Sequence, residues 1–327
     1  MPGLVSLLAL LAPVAPSSTV APVALVRKFV VGQRETYAIR SNLHSESRSG
    51  ELRTWIPEDI DINYDFTIDI RKQKADGIAE VLYRRPTMVI QEGETFEGPG
   101  KRSVEKVNFD LTMDVSPINE LLKVTENPKP KAKGSWRTVY VGGGRTVQLN
   151  FGQFISEIQR LALFVGPIDS SLDFNPKLPL DVVSVGDTWK KTVGFQPQKL
   201  RGTANKQAVQ RLDCTYTYRG LQTINKKSFQ RIDAEISFSN DLGEFLRQML
   251  EDAPEGEFDL KLPVNLRAKI EYFLDPKTMR TLRAVAESEG GFSIMVTSEP
   301  DPVQEQKFRG RTTMSLVSVT APKPAKK

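Results

Sequence analysis

The chain has 327 residues, of which 39% are apolar and 26% are charged. This composition is typical of a globular protein and excludes an intrinsically disordered chain or a bundle of membrane helices. A single cysteine and a single histidine exclude intramolecular disulfides and zinc sites built from Cys and His. The formal net charge is +5, and lysines concentrated in segments 129–133 and 321–327 account for the excess. The rest of the chain is close to neutral.

The first 24 residues have the pattern of a secretory signal peptide. No charged side chain occurs before Arg27, and Leu4–Ala15 is an apolar stretch of the expected length, followed by small residues suited to cleavage. A retained N-terminal anchor and a cytoplasmic protein are the alternatives, but a spanning helix would be interrupted by Pro13, Pro16 and Pro22. No cysteine follows the apolar stretch, so bacterial lipid anchoring is not expected. We therefore expect an extracytoplasmic protein, located in the periplasm or cell envelope or secreted.

Alternation of apolar and polar residues dominates the chain and predicts antiparallel β-sheet. From Ile60 to Ile70 every even position is apolar and every odd position is polar, which predicts a strand with one buried and one solvated face. The same pattern recurs in segments 107–115, 212–218, 232–238 and 266–274. We expect turns to separate strands at Gly142–Gly144, Asp275–Pro276 and Gly290–Gly291.

Three segments have helical patterns. Ser116-Pro117 has the form of a helix start, and the apolar residues that follow it share a face. Asp241 opens a capping box ahead of an apolar stripe that runs to Leu250. The longest pattern, Phe151–Val165, covers a broad apolar face and ends at a Gly-Pro pair, so we expect this helix to pack on the sheet.

A short sequence pattern occurs twice and divides the chain into two halves. Val31–Tyr37 and Val185–Trp189 each place a turn glycine shortly before a strand that begins at an aromatic residue. We therefore predict a mainly β (α+β) fold made of two related antiparallel halves, curved like half-barrels, with a few short helices and the long midchain helix on the sheet. The expected divisions are a signal peptide (1–24), an N-terminal half (25–150), a linking helix with a Pro-rich connection (151–180), a C-terminal half (181–320) and a disordered basic tail (321–327).

Two segments superficially suggest ligand binding. Asp59, Asp61, Asn63 and Asp65 have the spacing of calcium ligands, but the loop lacks the required Gly and Glu, and its alternation predicts the solvated face of a strand. Gly142–Gly144 could suggest a phosphate loop, but no Lys-Ser/Thr follows, and the flanking strand patterns favour a hairpin turn. Neither segment predicts a metal or cofactor site.

No catalytic constellation is predicted. His44 lies in a polar, loop-like stretch, and the chain has no Gly-x-Ser-x-Gly elbow to supply a nucleophile. Cys214 lies on the apolar side of its strand, where a cysteine behaves as a small buried hydrophobe. The lysine segments 129–133 and 321–327 lack interleaved aromatic residues, so we expect a solvated loop and tail and no nucleic-acid partner.

The motif Val185-Gly186-Asp187-Thr188-Trp189, preceded by the proline-rich Leu178–Asp181, resembles an uncharacterised family of bacterial exported proteins and lipoproteins. Members of that family carry a V-G-D-T-W motif followed by long antiparallel strands. The resemblance implies export and this order of elements but no catalytic residue, and the missing lipid-anchor cysteine departs from the lipoprotein members. Within the motif we expect Gly186 to form a turn, Asp187 to cap it and Trp189 to anchor the strand.

These observations favour a non-catalytic cell-envelope binding protein that needs no cofactor and holds an apolar or lipid-like ligand. A structural or protein-interaction module of the envelope is the main alternative, and it predicts an exposed apolar patch instead of a cavity. A carboxylate-based hydrolase is less favoured and predicts a pair of Asp or Glu side chains that converge in a cleft.

Overall fold

The fold is one large antiparallel sheet. The computed structural model describes residues 21–49, 54–93, 99–100, 102–126, 136–140, 146–150, 175–195, 210–243, 260–296 and 301–321. Twelve strands form the large sheet, and β6 and β7 pair only with each other. The predicted mainly β architecture is therefore confirmed.

The alternating sequence patterns correspond to long strands. In the first half the strands are β1 (Arg34–Ser49), β2 (Ile56–Gln73), β3 (Ala79–Glu92), β4 (Arg102–Val115), β5 (Leu121–Glu126), β6 (Trp136–Tyr140) and β7 (Thr146–Asn150). In the second half they are β8 (Thr188–Phe195), β9 (Gln210–Ile224), β10 (Lys227–Asp241), β11 (Leu260–Lys261), β12 (Pro263–Leu274), β13 (Thr281–Val296) and β14 (Gln304–Thr320). A 3-10 turn, Ala75–Gly77, lies between β2 and β3.

The two halves are two meanders of a single sheet. The strand order is β5-β4-β3-β2-β1-β14-β13-β12-β10-β9-β8, and β11 pairs with β13 beside β12. The first meander therefore runs outward from the centre, and the second runs inward from the opposite edge. They join where β1 pairs with β14, in a register that extends from Arg34↔Thr320 to Ser49↔Gln304.

One end of the sheet, which we call the closed end, is covered by segment 21–33. This segment hydrogen bonds in turn to four parts of the chain: Val23 pairs with Val183, and the amides of Arg27, Lys28 and Gly32 donate to the carbonyls of Pro117, Thr278 and Ile70, respectively, at 2.7–2.9 Å. The folded body thus includes Val23, just inside the predicted boundary of the signal peptide at residue 24.

Residues 175–183, which we call the strap, connect the two edge strands at the closed end. The strap reaches the turn before β5 through backbone and side-chain hydrogen bonds: Leu178 N to Ile118 O at 3.0 Å, Asn119 Nδ2 to Pro176 O at 2.9 Å and Lys177 Nζ to Asn119 O at 2.9 Å. It reaches β8 through Trp189 Nε1, which donates to Lys177 O at 2.7 Å. Lys191 on β8 also pairs with Glu120 at 2.8 Å. Side chains and the strap therefore join edges that no sheet hydrogen bonds among the described residues connect.

One face of the sheet, the inner face, is apolar. Every second residue of β12 from Val264 to Leu274 is buried, and β10 has the same pattern. At the centre of the first meander, Phe66 stacks on Tyr37 and contacts Tyr83, with both ring centroids 5.1 Å away. Period-two alternation thus produces a core made of side chains from nearly every strand of the sheet.

The opposite, outer face is charged, and it contains the residues whose spacing resembles that of calcium ligands. The acidic residues of β2 spread along the strand and meet partners on β1: Asp59 with His44 at 2.7 Å, Asp61 with Asn42 at 2.9 Å, Asp65 with Arg40 at 3.1 Å and Asp69 with Arg34 at 2.5 Å. The predicted solvated face is confirmed. The predicted loop around His44 is wrong, because this stretch lies within β1, with Asn42, His44 and Glu46 on its outward side.

The predicted helix at Ser116 is also wrong. Ser116–Glu120 forms a turn, in which Ser116 N donates to Glu120 O and Asn119 adopts a φ of 62°. The chain then continues as β5, because pairing with β4 satisfies the backbone more completely than one helical turn could. Of the helix predicted from Asp241, most lies outside the described residues, although Asp241 Oδ1 does accept the amide of Gly243 at 2.8 Å. The predicted helix Phe151–Val165 lies entirely outside them.

The turn predicted at Gly290–Gly291 is wrong, because both glycines lie inside β13. They are needed for close approach instead. A Cβ on Gly290 would meet the carbonyl oxygen of Asn265 and lie 2.8 Å from the ring of Phe308, and one on Gly291 would lie 2.6 Å from Gln306 O. The turn predicted at Asp275–Pro276 is confirmed, since Asp275 caps it between β12 and β13. β6 pairs with β7, but the glycines 142–144 predicted to form the turn between them lie outside the described residues.

We predict that Gly290→Ala destabilises the protein by about 3 kcal/mol, since its methyl group would overpack against backbone that cannot move independently. Chemical denaturation of both proteins measures the difference. The matched control is Glu289→Ala, whose exposed side chain should change stability by no more than about 0.5 kcal/mol. Equal unfolding midpoints for Gly290→Ala and wild type would contradict the packing described for β13.

Candidate functional site

A charged cluster is buried beneath the closed end. Arg27, from the segment that covers this end, donates its Nη2 to both carboxylate oxygens of Glu35 on β1, at 2.7 and 2.8 Å. The hydroxyl of Tyr37 donates to Glu35 Oε2 at 2.9 Å. Arg280, from the turn before β13, approaches Glu35 Oε1 at 3.5 Å. Segment 21–33, the start of β1 and the distant turn before β13 thus meet at one carboxylate.

The cluster holds one positive charge in excess, since two guanidinium groups face one carboxylate. Arg27 Nη1 and Arg280 Nε are buried and have no hydrogen-bond partner within the described part of the chain. Burial of the phenol, followed by the negative charge of Glu35, raises the pKa of Tyr37 well above its usual value. Tyr37 therefore stays neutral and acts as a hydrogen-bond donor.

A small cavity adjoins the cluster. Its volume is about 40 Å³, and polar groups of Arg27, Glu35, Asn119 and Asn175 share its wall with apolar side chains from β2, β3 and β4. Asn175 is held by the hydroxyl of Thr281, which donates to its Oδ1 at 2.7 Å. The space suits about one or two water molecules, whereas ligand pockets usually enclose several hundred Å³. The cavity between the strap, segment 21–33 and the sheet is thus large enough for water but not for an organic ligand.

The residues singled out in the sequence do not gather at this cluster. Cys214 is buried on the inner face, as predicted, and His44 lies on the outer face beside Asp59. Among the described residues, no three His, Cys, Asp or Glu side chains form a metal-binding group. The buried carboxylate of Glu35 faces two guanidinium groups and a phenol. The partners described for Glu35 do not include a second carboxylate.

The cluster itself was not predicted from the sequence. A signal for it exists, since Glu35 occupies an inward position of β1 in alternation with Tyr37 and Ile39. A carboxylate at such a position needs a buried cation, and Arg27 is the first charged residue of the chain. Arg280 carries no comparable signal, because only the fold brings the turn before β13 to β1.

The Val185–Trp189 motif behaves as predicted. Gly186 adopts a φ of 97° in the turn before β8, and Gly32 adopts a φ of 85° in the turn before β1. Asp187 caps its turn by accepting the amide of Ser184 at 2.7 Å. Trp189 anchors β8 by stacking on Tyr216, with ring centroids 5.6 Å apart. The two turns share this pattern but precede strands at different positions in the sheet, since β1 is central and β8 is at the edge.

None of the described residues forms a helix with the length and apolar character needed to cross a bilayer.

No family model and no curated protein matches the chain. A structure of lipovitellin, described as showing lipid–protein interactions, has a TM-score of 0.43 at 10% identity and covers 92% of this chain, which in turn spans only 26% of the lipovitellin chain. A Bacteroides fragilis protein with a YmcC-like fold, described as exported, has a TM-score of 0.26 at 7% identity, and the match covers 91% of this chain and 100% of that one. Pseudomonas aeruginosa OpdQ has a TM-score of 0.23 at 7% identity, with 87% and 99% covered. These scores are too low to establish a shared topology.

We predict that stability at alkaline pH depends on Tyr37. Above about pH 10 the unfolded chain loses the phenolic proton that the folded protein retains, so stability falls as the pH rises. Tyr37→Phe should lose about 1 kcal/mol at neutral pH, through the hydrogen bond to Glu35, but should be less sensitive to alkali than wild type. Urea denaturation from about pH 8 to about pH 11 measures both effects.

Thr36→Ala, on the neighbouring position of β1, is the control for this prediction. It removes no titrating group and should keep the pH slope of wild type. If wild type and Tyr37→Phe lose stability equally as the pH rises, the neutral buried phenol is not responsible.

Proposed function

We propose that the chain is a non-catalytic extracytoplasmic binding protein that holds an elongated apolar ligand, such as a lipid, against the inner face of the sheet. The observation that carries the proposal is a continuous apolar face on a sheet whose two described edge strands are not paired with each other. The uncharged, apolar start of the sequence supports an extracytoplasmic location.

The inner face is long enough for an extended lipid chain. Along β12, the buried residues from Val264 to Leu274 extend about 33 Å at roughly 3.3 Å per residue. Away from the closed end the face is lined by large apolar side chains from several strands: Leu43, Phe238, Leu266, Phe292 and Phe308. Because the cavity at the closed end has room for only about one or two waters, we place the ligand on this distal part of the face.

The open edges supply a route of entry. Among the described strands, β5 and β8 each have a neighbour on one side only. The described contacts between their two sides are those of the strap and the Lys191–Glu120 pair, all at the closed end. A molecule that enters between the edges therefore does not have to break a sheet ladder.

A few polar groups on the inner face support an amphipathic ligand. Ser41 and Thr312 share a hydrogen bond of 2.8 Å between β1 and β14. Gln306, six residues before Thr312 on β14, is also buried, and Arg85 lies over the ring of Tyr64 at 4.9 Å. Ligand pockets typically combine an apolar lining with a small number of such groups.

Mass spectrometry of the natively purified protein tests the proposal directly. We expect a stoichiometric lipid that organic extraction removes, after which the protein should bind dansyl-undecanoic acid with enhanced fluorescence. Protein that carries no lipid and does not bind this probe would refute the proposal.

A substitution on the inner face sharpens the test. Ala268→Leu adds volume where β12 faces the interior. If a ligand covers this position, the variant should bind the probe at least about tenfold more weakly while its unfolding midpoint in lipid-free form stays close to wild type. If side chains fill the space instead, overpacking should cost about 1–3 kcal/mol. Ala38→Leu, on the outer face of β1, is the matched control and should change neither quantity.

A further inference from the structure

The closed end carries nearly all of the exposed aliphatic surface of the described residues. Twelve large apolar side chains are exposed on the described chain, and only Val104 lies away from the closed end. The other eleven come from segment 21–33, the start of β5, the strap, the turn before β8, the β9–β10 hairpin and the end of β14: Val26, Val30, Val31, Leu122, Leu180, Val182, Val185, Leu221, Ile224, Val317 and Val319. We call this set the aliphatic rim. Single exposed apolar residues are normal, but a concentration at one end marks a contact surface.

The most prominent part of the rim is the tip of the β9–β10 hairpin, residues 219–229, which we call the arm. The last β8–β9 pair is Thr188↔Thr217, and β12 pairs with β10 only from Leu274↔Gln230. The arm therefore extends beyond both neighbouring strands. It ends in a two-residue turn at Asn225-Lys226, where both residues have positive φ.

Several basic side chains lie near these aliphatic residues, as do the exposed carboxylates of Asp181 and Asp187. Lys226 and Lys227 lie at the tip of the arm, Lys28 lies in the covering segment and Lys277 lies in the turn after β12. All four are exposed, and none forms an ion pair with a described residue. Elsewhere the outer face matches charges of opposite sign across strands, as between Arg311 and Glu287. Unpaired cations beside exposed aliphatic groups suit a surface that is both anionic and apolar.

The first and last described residues, Ala21 and Ala321, both lie at this same end. In the sequence, residues 1–20, which carry no charged side chain, precede Ala21, and residues 322–327, with three lysines, follow Ala321. A polybasic segment adds electrostatic attraction to an anionic bilayer.

We propose that the aliphatic rim docks on an anionic lipid bilayer, with the arm inserted among the headgroups. Aliphatic side chains would enter the interface while Lys226 and Lys227 contact the lipid phosphates. The inference concerns the outside of the closed end and is independent of the ligand proposed for the inner face.

Co-sedimentation of the full-length chain with vesicles tests this proposal. We expect binding to vesicles of phosphatidylcholine mixed with phosphatidylglycerol, weaker binding to phosphatidylcholine alone, and a loss of the difference at high salt. Equal binding to both vesicles, or no binding to either, would refute the proposal.

Variants of the arm test whether the rim is responsible. Each lysine near an anionic surface contributes roughly five-fold in affinity, so Lys226→Glu with Lys227→Glu should weaken binding by at least about 25-fold. Leu221→Ser with Ile224→Ser should weaken it by about tenfold or more. The matched controls lie at the opposite end: Val104→Ser for the apolar change and Lys261→Glu for the charge change. Both controls should bind like wild type.

The outcomes distinguish docking through the rim from membrane binding by residues 1–20 and from self-association. Unchanged binding by the arm variants would refute docking and would attribute any vesicle binding to residues 1–20. A concentration-dependent dimer that Leu221→Ser with Ile224→Ser abolishes would show that a second copy covers the rim instead. If an arm variant unfolds, Leu180→Ser tests the same surface on the strap, where the side chain is 80% exposed. Arm variants should keep the affinity of wild type for dansyl-undecanoic acid, so failure of docking and failure of ligand binding are distinguishable.

Discussion

The pairing of β1 with β14 is the interaction on which the rest of the structure depends. It joins the first and last strands of the sheet along the whole of β1, from Arg34↔Thr320 to Ser49↔Gln304. All other described pairs in the large sheet join strands close in sequence, so each meander could form locally. Without the central pair, the protein would be two smaller sheets, each with an additional exposed edge. Because loop-closure entropy grows only slowly with chain length, a long and regular ladder can offset the separation of its two strands.

This central junction also determines where the edges lie. Since the first meander starts at the centre of the sheet and the second ends there, β5 and β8 are left at the two edges. At the closed end the strap links these two edges through hydrogen bonds from side chains to backbone, including those of Asn119 and Lys177. Such contacts satisfy carbonyl groups of irregular segments that have no strand partner. The strap therefore provides at one end what a continuous ladder would provide along the whole seam.

Alternation in the sequence was sufficient to identify β2, β4, β9, β10 and β12 and to assign their faces, because period two depends only on local geometry. It was not sufficient to give their order, which depends on contacts between distant segments. Ser116-Pro117 resembles a helix start, yet pairing of β5 with β4 overrides that local preference. Gly290 and Gly291 resemble a turn, but the ring of Phe308 approaches Gly290 and the carbonyl of Gln306 approaches Gly291, so both must be small. Cys214 and Trp189 were predictable because each has one favourable role at its position. Arg280 was not, since its role arises only where the turn before β13 meets Glu35.

The closed end reverses the usual distribution of polarity. Along the sheet, apolar side chains are buried and charged ones are exposed, whereas at the closed end Arg27, Glu35 and Arg280 lie inside and aliphatic residues such as Leu180 lie outside. Buried charges usually contribute little net stability, because desolvation offsets their attraction. Their value here is positional: a single carboxylate fixes a covering segment, a central strand and a distant turn in one arrangement. Exposed aliphatic groups likewise contribute nothing to the stability of the isolated fold. Folding alone therefore does not explain why charged groups lie inside the closed end while aliphatic groups lie on its surface. Contact of those aliphatic groups with another apolar phase supplies a favourable free energy that the isolated fold does not provide.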